Sequence, residues 1–220
     1  MKSFFPAEIF DDIKKKDGYI AFIFFIIYFL CSFPYIQHFK SFMIQAEMPI
    51  ELKRLAIGTG FYIIPVIIIC IILRVRKQAL TTIGIRRKGF IQSIGIGIAL
   101  STIVFIIHIV NGRAIDTIIT DLLFYVLLLG FSEEIIFRGF IWPRLVVLFG
   151  RTSGTILSGA LFGIMHAPMR IIMNGNPITT AILSEIGGGI VGSLIFIFIY
   201  TRNKNIILPS MIHGVLDFMQ

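Results

Sequence analysis

Apolar and polar positions divide the chain into seven long apolar runs joined by short polar, mostly basic connections. The runs cover about Tyr19 to Ile36, Leu55 to Leu73, Phe90 to Val110, Thr117 to Gly139, Ser153 to Met169, Ile178 to Tyr200 and Ile206 to Phe218. Most approach or exceed the roughly 18 to 20 residues that a helix rising about 1.5 Å per residue needs to cross a hydrocarbon core about 30 Å thick. In lipid each backbone N–H and C=O must find its partner within the protein, which leaves helices or closed barrels. These continuous runs lack the alternation of barrel strands. The pattern therefore predicts an all-α fold, a polytopic transmembrane helical bundle of about seven spans (six to eight), in one domain over residues 1–220.

Local features refine this outline. The first run is too long for a signal-peptide core and follows the mixed-charge stretch from Asp11 to Asp17, so it is read as an uncleaved span. Pro143 predicts a bend or a second element after Gly139, and the neighbouring Trp142 and Arg144 suit a membrane interface. Gly187, Gly188, Gly189 and Gly192 predict close helix packing along the sixth run. Neither an internal repeat nor a phosphate-binding fingerprint is present.

Composition agrees with a lipid solvent: 56% of the 220 residues are apolar and only 15% charged, outside the range of a soluble domain. The net charge of +8 does not point to nucleic acid, because the basic residues sit between the runs instead of along one face. They read as topology signals. Connections on the N-terminal side hold Lys2, Lys14 to Lys16, Arg74, Arg76, Lys77, Arg86 to Lys88, Arg144, Arg151, Arg202 and Lys204. Those on the other side hold only Lys40, Lys53, Arg54, Arg113 and Arg170. This bias predicts a cytoplasmic N-terminus in a multi-pass cell-membrane protein. The Ile- and Phe-rich composition, with no organelle signal, points to a bacterial plasma membrane. Cys31 and Cys70 lie far apart within apolar runs and suggest neither a disulfide nor a thiolate zinc site.

Charges inside the runs are where chemistry is expected, since each costs roughly 2.5 to 3.5 kcal/mol at a span centre and needs a partner. The fourth run carries Glu133, Glu134 and Arg138; Glu134 and Arg138 are one helical turn apart and are expected to pair. Glu133 then faces elsewhere, and an apolar setting moves such a carboxylate toward the range of a general base. The fifth run supplies His166, and the seventh supplies His213 and Asp217, again one turn apart. Together these groups suit the binding and activation of one water and the stabilisation of an oxyanion. His213 stands about seven residues, and His166 about thirteen, from the same side, a nominal offset of about 9 Å. A tilt, or a kink near Pro168 or Pro209, has to bring them level. His108, Asp116, Asp121 and Glu185 are read as end-of-span or packing residues.

In these residues the chain resembles the CAAX protease and bacteriocin-processing family, also called Abi, of intramembrane peptidases. Its motifs EExxxR, FxxxH and HxxxN/D occur here in order as Glu133-Glu134 to Arg138, Phe162 to His166 and His213 to Asp217, within a core at residues 117–220. The resemblance implies that Glu133 and His166 activate water, that His213 and Asp217 line an oxyanion site, and that Glu134 and Arg138 orient the site. Asp217 stands where the family often has Asn, so it must be protonated, hold an imidazolium or serve a metal. The family includes both glutamate-type and metalloprotease descriptions. A metal-free site is preferred, with zinc on Glu133, His166 and His213 as the alternative, although HExxH spacing is absent. The expected partners are membrane lipid and a peptide substrate that is membrane-associated, prenylated or of bacteriocin or pheromone type; the oligomeric state is left unknown. The rival readings are a non-proteolytic bacteriocin immunity protein and a proton-coupled transporter; the transporter lacks the expected inverted repeats.

The charge bias makes a prediction for intact cells, tested with Cys31 and Cys70 replaced by serine. A membrane-impermeant thiol reagent labels a cysteine placed at Asn111 and spares one placed at Lys88; the reverse pattern would overturn the orientation.

Overall fold

The computed structural model describes residues 5–219; Lys2, counted among the basic residues above, lies outside them. The apolar runs become helices, and no strand occurs among the described residues. Helix α1 is Lys15–Gln45, α2 Ile50–Val75, α3 Phe90–Val110, α4 Ile115–Phe149, α5 Arg151–Ile164, α6 Ala167–Asn174, α7 Ile178–Asn203 and α8 Ile207–Phe218. Helices α5 and α6 make up one crossing, Arg151–Asn174, interrupted at Met165 and His166. Among the described residues six helical runs are long and apolar enough to span a bilayer, and α8 is a shorter apolar helix of 12 residues. The chain is thus an all-α, multi-pass membrane bundle. Its α2 and α3 turn isoleucines such as Ile64, Ile67, Ile71, Ile103 and Ile106 outward, as a lipid solvent requires.

Helix α4 is continuous but not uniform. Wider π-helical stretches at Leu123–Gly130 and Ile135–Ile141 flank a single α-helical turn, Phe131–Glu134. Such π segments occur frequently at functional sites, and here they flank the two glutamates. Of the bend or second element expected after Gly139, the structure has a distinct α-helical stretch, Trp142–Phe149, continuous with the π-helical turns before it. Pro143 falls in the first turn of that stretch, where the helix changes from π-helical to α-helical turns. Trp142 and Arg144 depart from expectation. They are 0% and 1% exposed, enclosed by protein instead of lying at a lipid interface. Partners explain this: Trp142 Nε1 donates to Thr155 Oγ1 at 3.0 Å, and Arg144 donates to Gln78 Oε1 at 2.8 Å and to the Phe140 carbonyl at 3.2 Å. Gln78 in turn joins Asp17, which Arg76 holds at 2.7 Å, so α1, the end of α2 and α4 are laced together on the N-terminal side. Nearby, Lys204 pairs with Glu8 at 2.5 Å and holds that exposed carboxyl below the usual carboxylate range.

Two glycine-mediated crossings place the elements that matter. At the first, α8 lies against α4: a Cβ on Gly130 would stand 2.6 Å from the Ser210 carbonyl oxygen and 2.9 Å from Gly214 Cα. Helices do not gain by hiding apolar surface from lipid, so small residues that let backbones touch are what allow tight association. At the second, α5 meets α7: a Cβ on Gly159 would stand 2.8 Å from Ile190 Cα, and Gly163 and Gly189 abut directly. Of the four α7 glycines expected to pack, only Gly189 does; a Cβ on Gly187, Gly188 or Gly192 would meet nothing within 4 Å.

Replacing Gly214 with valine is expected to cost about 1 to 3 kcal/mol through overpacking, read as a lowered melting temperature in detergent. Gly188→Val, which meets no neighbour, should leave that temperature unchanged.

Candidate active site

The Gly130–Gly214 contact brings the loaded turn of α4 and the middle of α8 side by side. His213 Nδ1 lies 2.8 Å from Glu134 Oε1. The same carboxylate oxygen stands 3.0 Å from Arg138 NH1, so the expected Glu134–Arg138 pair forms and His213 joins it. This ion pair is almost completely enclosed, with Glu134 0% and Arg138 1% exposed. Arg138 lies between two aromatic faces, 4.0 Å above the Phe162 ring and 5.3 Å from that of Phe196. Its NH2 donates to Ser193 Oγ on α7 at 3.2 Å. Glu134 Oε2 and Arg138 Nε have no protein partner.

Because Nδ1 of His213 carries the proton it gives to Glu134, the ring's other nitrogen is turned away from the pair. Nε2 faces Asp217 Oδ2 at 3.6 Å and Glu133 Oε2 at 3.8 Å. The ring is fixed further by stacking on Phe196, with centroids 4.8 Å apart. Glu133, one residue from Glu134, is only partly buried, as is Asp217. The cluster therefore has a closed side, Glu134 with Arg138, and an accessible side, Glu133 with Asp217.

His166 approaches from the interruption between α5 and α6. Its Nδ1 donates to the Phe162 carbonyl at 2.9 Å, which leaves Nε2 as the free nitrogen. The ring packs edge-on against Phe162 at 5.0 Å, and Phe162 also contacts the His213 ring at 6.1 Å. The nominal depth offset between the two histidines is thereby absorbed: both flank one phenylalanine, and Pro168 starts α6 immediately after His166. His166 makes no direct polar contact with the other site residues. No group of three His, Cys, Asp or Glu side chains among the described residues is spaced to hold a metal ion, so no chemical step is assigned to one.

The residues held back as packing groups do pack. His108 Nε2 donates to the Phe218 carbonyl at 2.8 Å, Asp116 accepts from the Thr117 amide, and Glu185 pairs with Arg170 at 2.6 Å. Asp121 is the busiest of them. It is buried and held by Arg113 at 2.5 Å and Arg54 at 3.3 Å. Sequence reasoning missed Tyr28 and Tyr62, whose phenols lie within electrostatic reach of Glu133. It also missed Ser193 and Phe196. None of these belongs to a spaced motif, and in a chain with 22 phenylalanines and 6 tyrosines residue type carries no signal. Phe162, by contrast, is the first position of the FxxxH motif.

A multi-pass helical bundle thus gathers carboxylates, imidazoles and a guanidinium at its centre. Residues 114–219 match the family model described as type II CAAX prenyl endopeptidase, Rce1-like. Over these 106 of its 220 residues the chain is similar to that family of membrane peptidases. No curated protein and no solved structure matches it.

The closed side makes a stability prediction. Arg138→Met leaves Glu134 buried without its cation and is expected to cost about 3 to 5 kcal/mol. Glu134→Gln combined with Arg138→Met should recover a substantial part of this loss. Thermal unfolding of the detergent-purified variants measures both effects, and an additive double variant would show that the pair is not coupled.

Proposed function

We propose that this chain is an intramembrane endopeptidase that hydrolyses a peptide bond with a glutamate-activated water, in a bacterial plasma membrane with its N-terminus in the cytoplasm. One observation carries the reading: Glu134 holds His213 Nδ1 at 2.8 Å, so that Nε2 is presented to Glu133 and Asp217. A carboxylate base next to an oriented imidazole on an accessible side is what water activation requires.

Glu133 takes a proton from water as the water oxygen attacks the carbonyl carbon. The carbonyl oxygen becomes an oxyanion, and a proton on His213 Nε2 stabilises it. Asp217, 3.6 Å from that nitrogen, keeps it protonated; this gives a role to the aspartate where asparagine is common. Collapse of the tetrahedral species breaks the C–N bond. His166, whose Nε2 is free, passes the proton taken up by Glu133 to the departing amine. Glu134 and Arg138 position His213 without touching substrate. No metal is needed in this scheme. The substrate is a membrane-associated peptide of prenylated, bacteriocin or pheromone type.

Glu133→Gln is expected to lower cleavage of a quenched fluorescent peptide library in detergent by at least about a thousandfold, with chelator leaving the wild-type rate intact. Equal rates for both proteins would remove Glu133 from the mechanism. A rate lost in chelator and restored by zinc would replace the metal-free scheme.

A further inference from the structure

Beside the site lies a cavity of about 270 Å³, lined among others by Arg54, Phe61 and Tyr62 of α2, Phe124 and Leu129 of α4, and Met169 of α6. It contains none of the catalytic candidates but borders them. Leu129 precedes Glu133 by four residues and Met169 follows His166 by three. Tyr62 lies within electrostatic reach of both Glu133 and Asp217. The walls are apolar and aromatic, and Arg54 is the only charged residue among those that line it.

Arg54 belongs to a cluster with surplus positive charge. Asp121 is shared by two guanidiniums, held at 2.5 Å by Arg113 NH2 and more loosely, at 3.3 Å, by Arg54 NH1. The same NH1 donates to Tyr125 Oη at 3.1 Å. Both bonds of Arg54 thus come from one nitrogen, and its side chain is 33% exposed. Two guanidiniums against one carboxylate leave a net charge of +1 at the rim of an apolar cavity next to the proposed base. On the opposite, N-terminal side of the site, Phe137, Phe140, Ile141 and Trp142 are 0 to 2% exposed and close the bundle.

We infer that this cavity is the substrate entry site and that Arg54 is a specificity-determining residue: it binds a carboxylate of the peptide while apolar side chains of the same peptide fill the cavity. The assignment rests on the peptidase reading above and adds to it the chemical class of peptide, apolar with one acidic group. The Arg54 guanidinium lies 5.9 Å from the Tyr125 ring centroid and bonds only through NH1; its remaining N–H donors are suited to carboxylate recognition, and a partly dehydrated rim strengthens the interaction. The carboxylate comes from either the peptide's C-terminus or an acidic side chain.

The test uses full-length protein in nanodiscs, with Glu133→Gln preventing turnover, alone and combined with Arg54→Gln or Arg54→Lys. The probe is a short apolar dansyl peptide in three forms: free C-terminal carboxylate, C-terminal amide, and amide with one internal glutamate. Empty nanodiscs supply the partition baseline. One of the two carboxylate forms is expected to bind about tenfold more tightly than the neutral amide, the factor of a lost charge-assisted hydrogen bond. Arg54→Gln should abolish this preference and Arg54→Lys retain part of it. Asp121 keeps Arg113 in these variants, so no buried carboxylate is orphaned. Where the protein with Glu133 intact cleaves the probe, the effect of Arg54→Gln should fall on KM and not on kcat. Equal binding of all three forms, or a preference that survives Arg54→Gln, overturns the assignment. A charge preference with no Glu133-dependent cleavage of any peptide would instead sink the peptidase reading and leave Arg54 as an anion site.

Discussion

A guanidinium and a carboxylate enclosed at the centre of a membrane bundle are the constraint around which the rest is arranged. Taking Glu134 and Arg138 out of water is expensive, and their mutual attraction offsets the cost only when geometry and further contacts are good. Here those contacts come from four helices. The pair lies on α4, His213 comes from α8, Phe162 from α5, and Ser193 and Phe196 from α7. The aromatic faces stabilise the cation where water is excluded. An arrangement that satisfies the pair therefore also positions His213, so stability and chemistry depend on the same contacts.

Bringing four helices close enough is a problem of backbone approach. Lipid gives helices no reason to hide apolar faces from it, and tight contact has to come from small residues. The two glycine crossings lie next to the functional side chains: Gly214 follows His213, Gly130 precedes Glu133 by three residues, and Gly163 precedes His166 by three. Precision of the site is thus set by contacts between backbones, which have no rotamers to adjust. The π-helical stretches of α4 on either side of Phe131–Glu134 belong to the same arrangement, since they change which face each carboxylate presents.

The two ends of the bundle differ in kind. Toward the N-terminal side, Asp17, Arg76, Gln78 and Arg144 form a closed polar lacing, and the large side chains beneath it are fully buried. Toward the other side Asp121 is shared by Arg113 and Arg54, whose side chains are a third exposed, and Glu133 and Asp217 are only partly buried. The proposed hydrolysis would use such an asymmetry, because water and a peptide would have to reach one carboxylate without hydrating the buried pair behind it.

The sequence by itself determined the crossings, because lipid demands unbroken apolar runs of a length that few other structures share; α3 begins and ends at the expected Phe90 and Val110. It also singled out the charged residues that the fold brings together, since charges in such runs are costly enough to stand out, and the Glu134–Arg138 pair follows from one helical turn. Tertiary structure alone decided the partners. That His213 turns Nδ1 to Glu134 and Nε2 to Glu133 depends on a crossing between helices far apart in sequence, and no local pattern encodes it. The same holds for Trp142 and Arg144, whose amphipathic character suits an interface but whose bonding partners, Thr155 and Gln78, draw them into the core. It holds as well for Ser193, whose hydroxyl accepts from Arg138 only because α7 lies against α4.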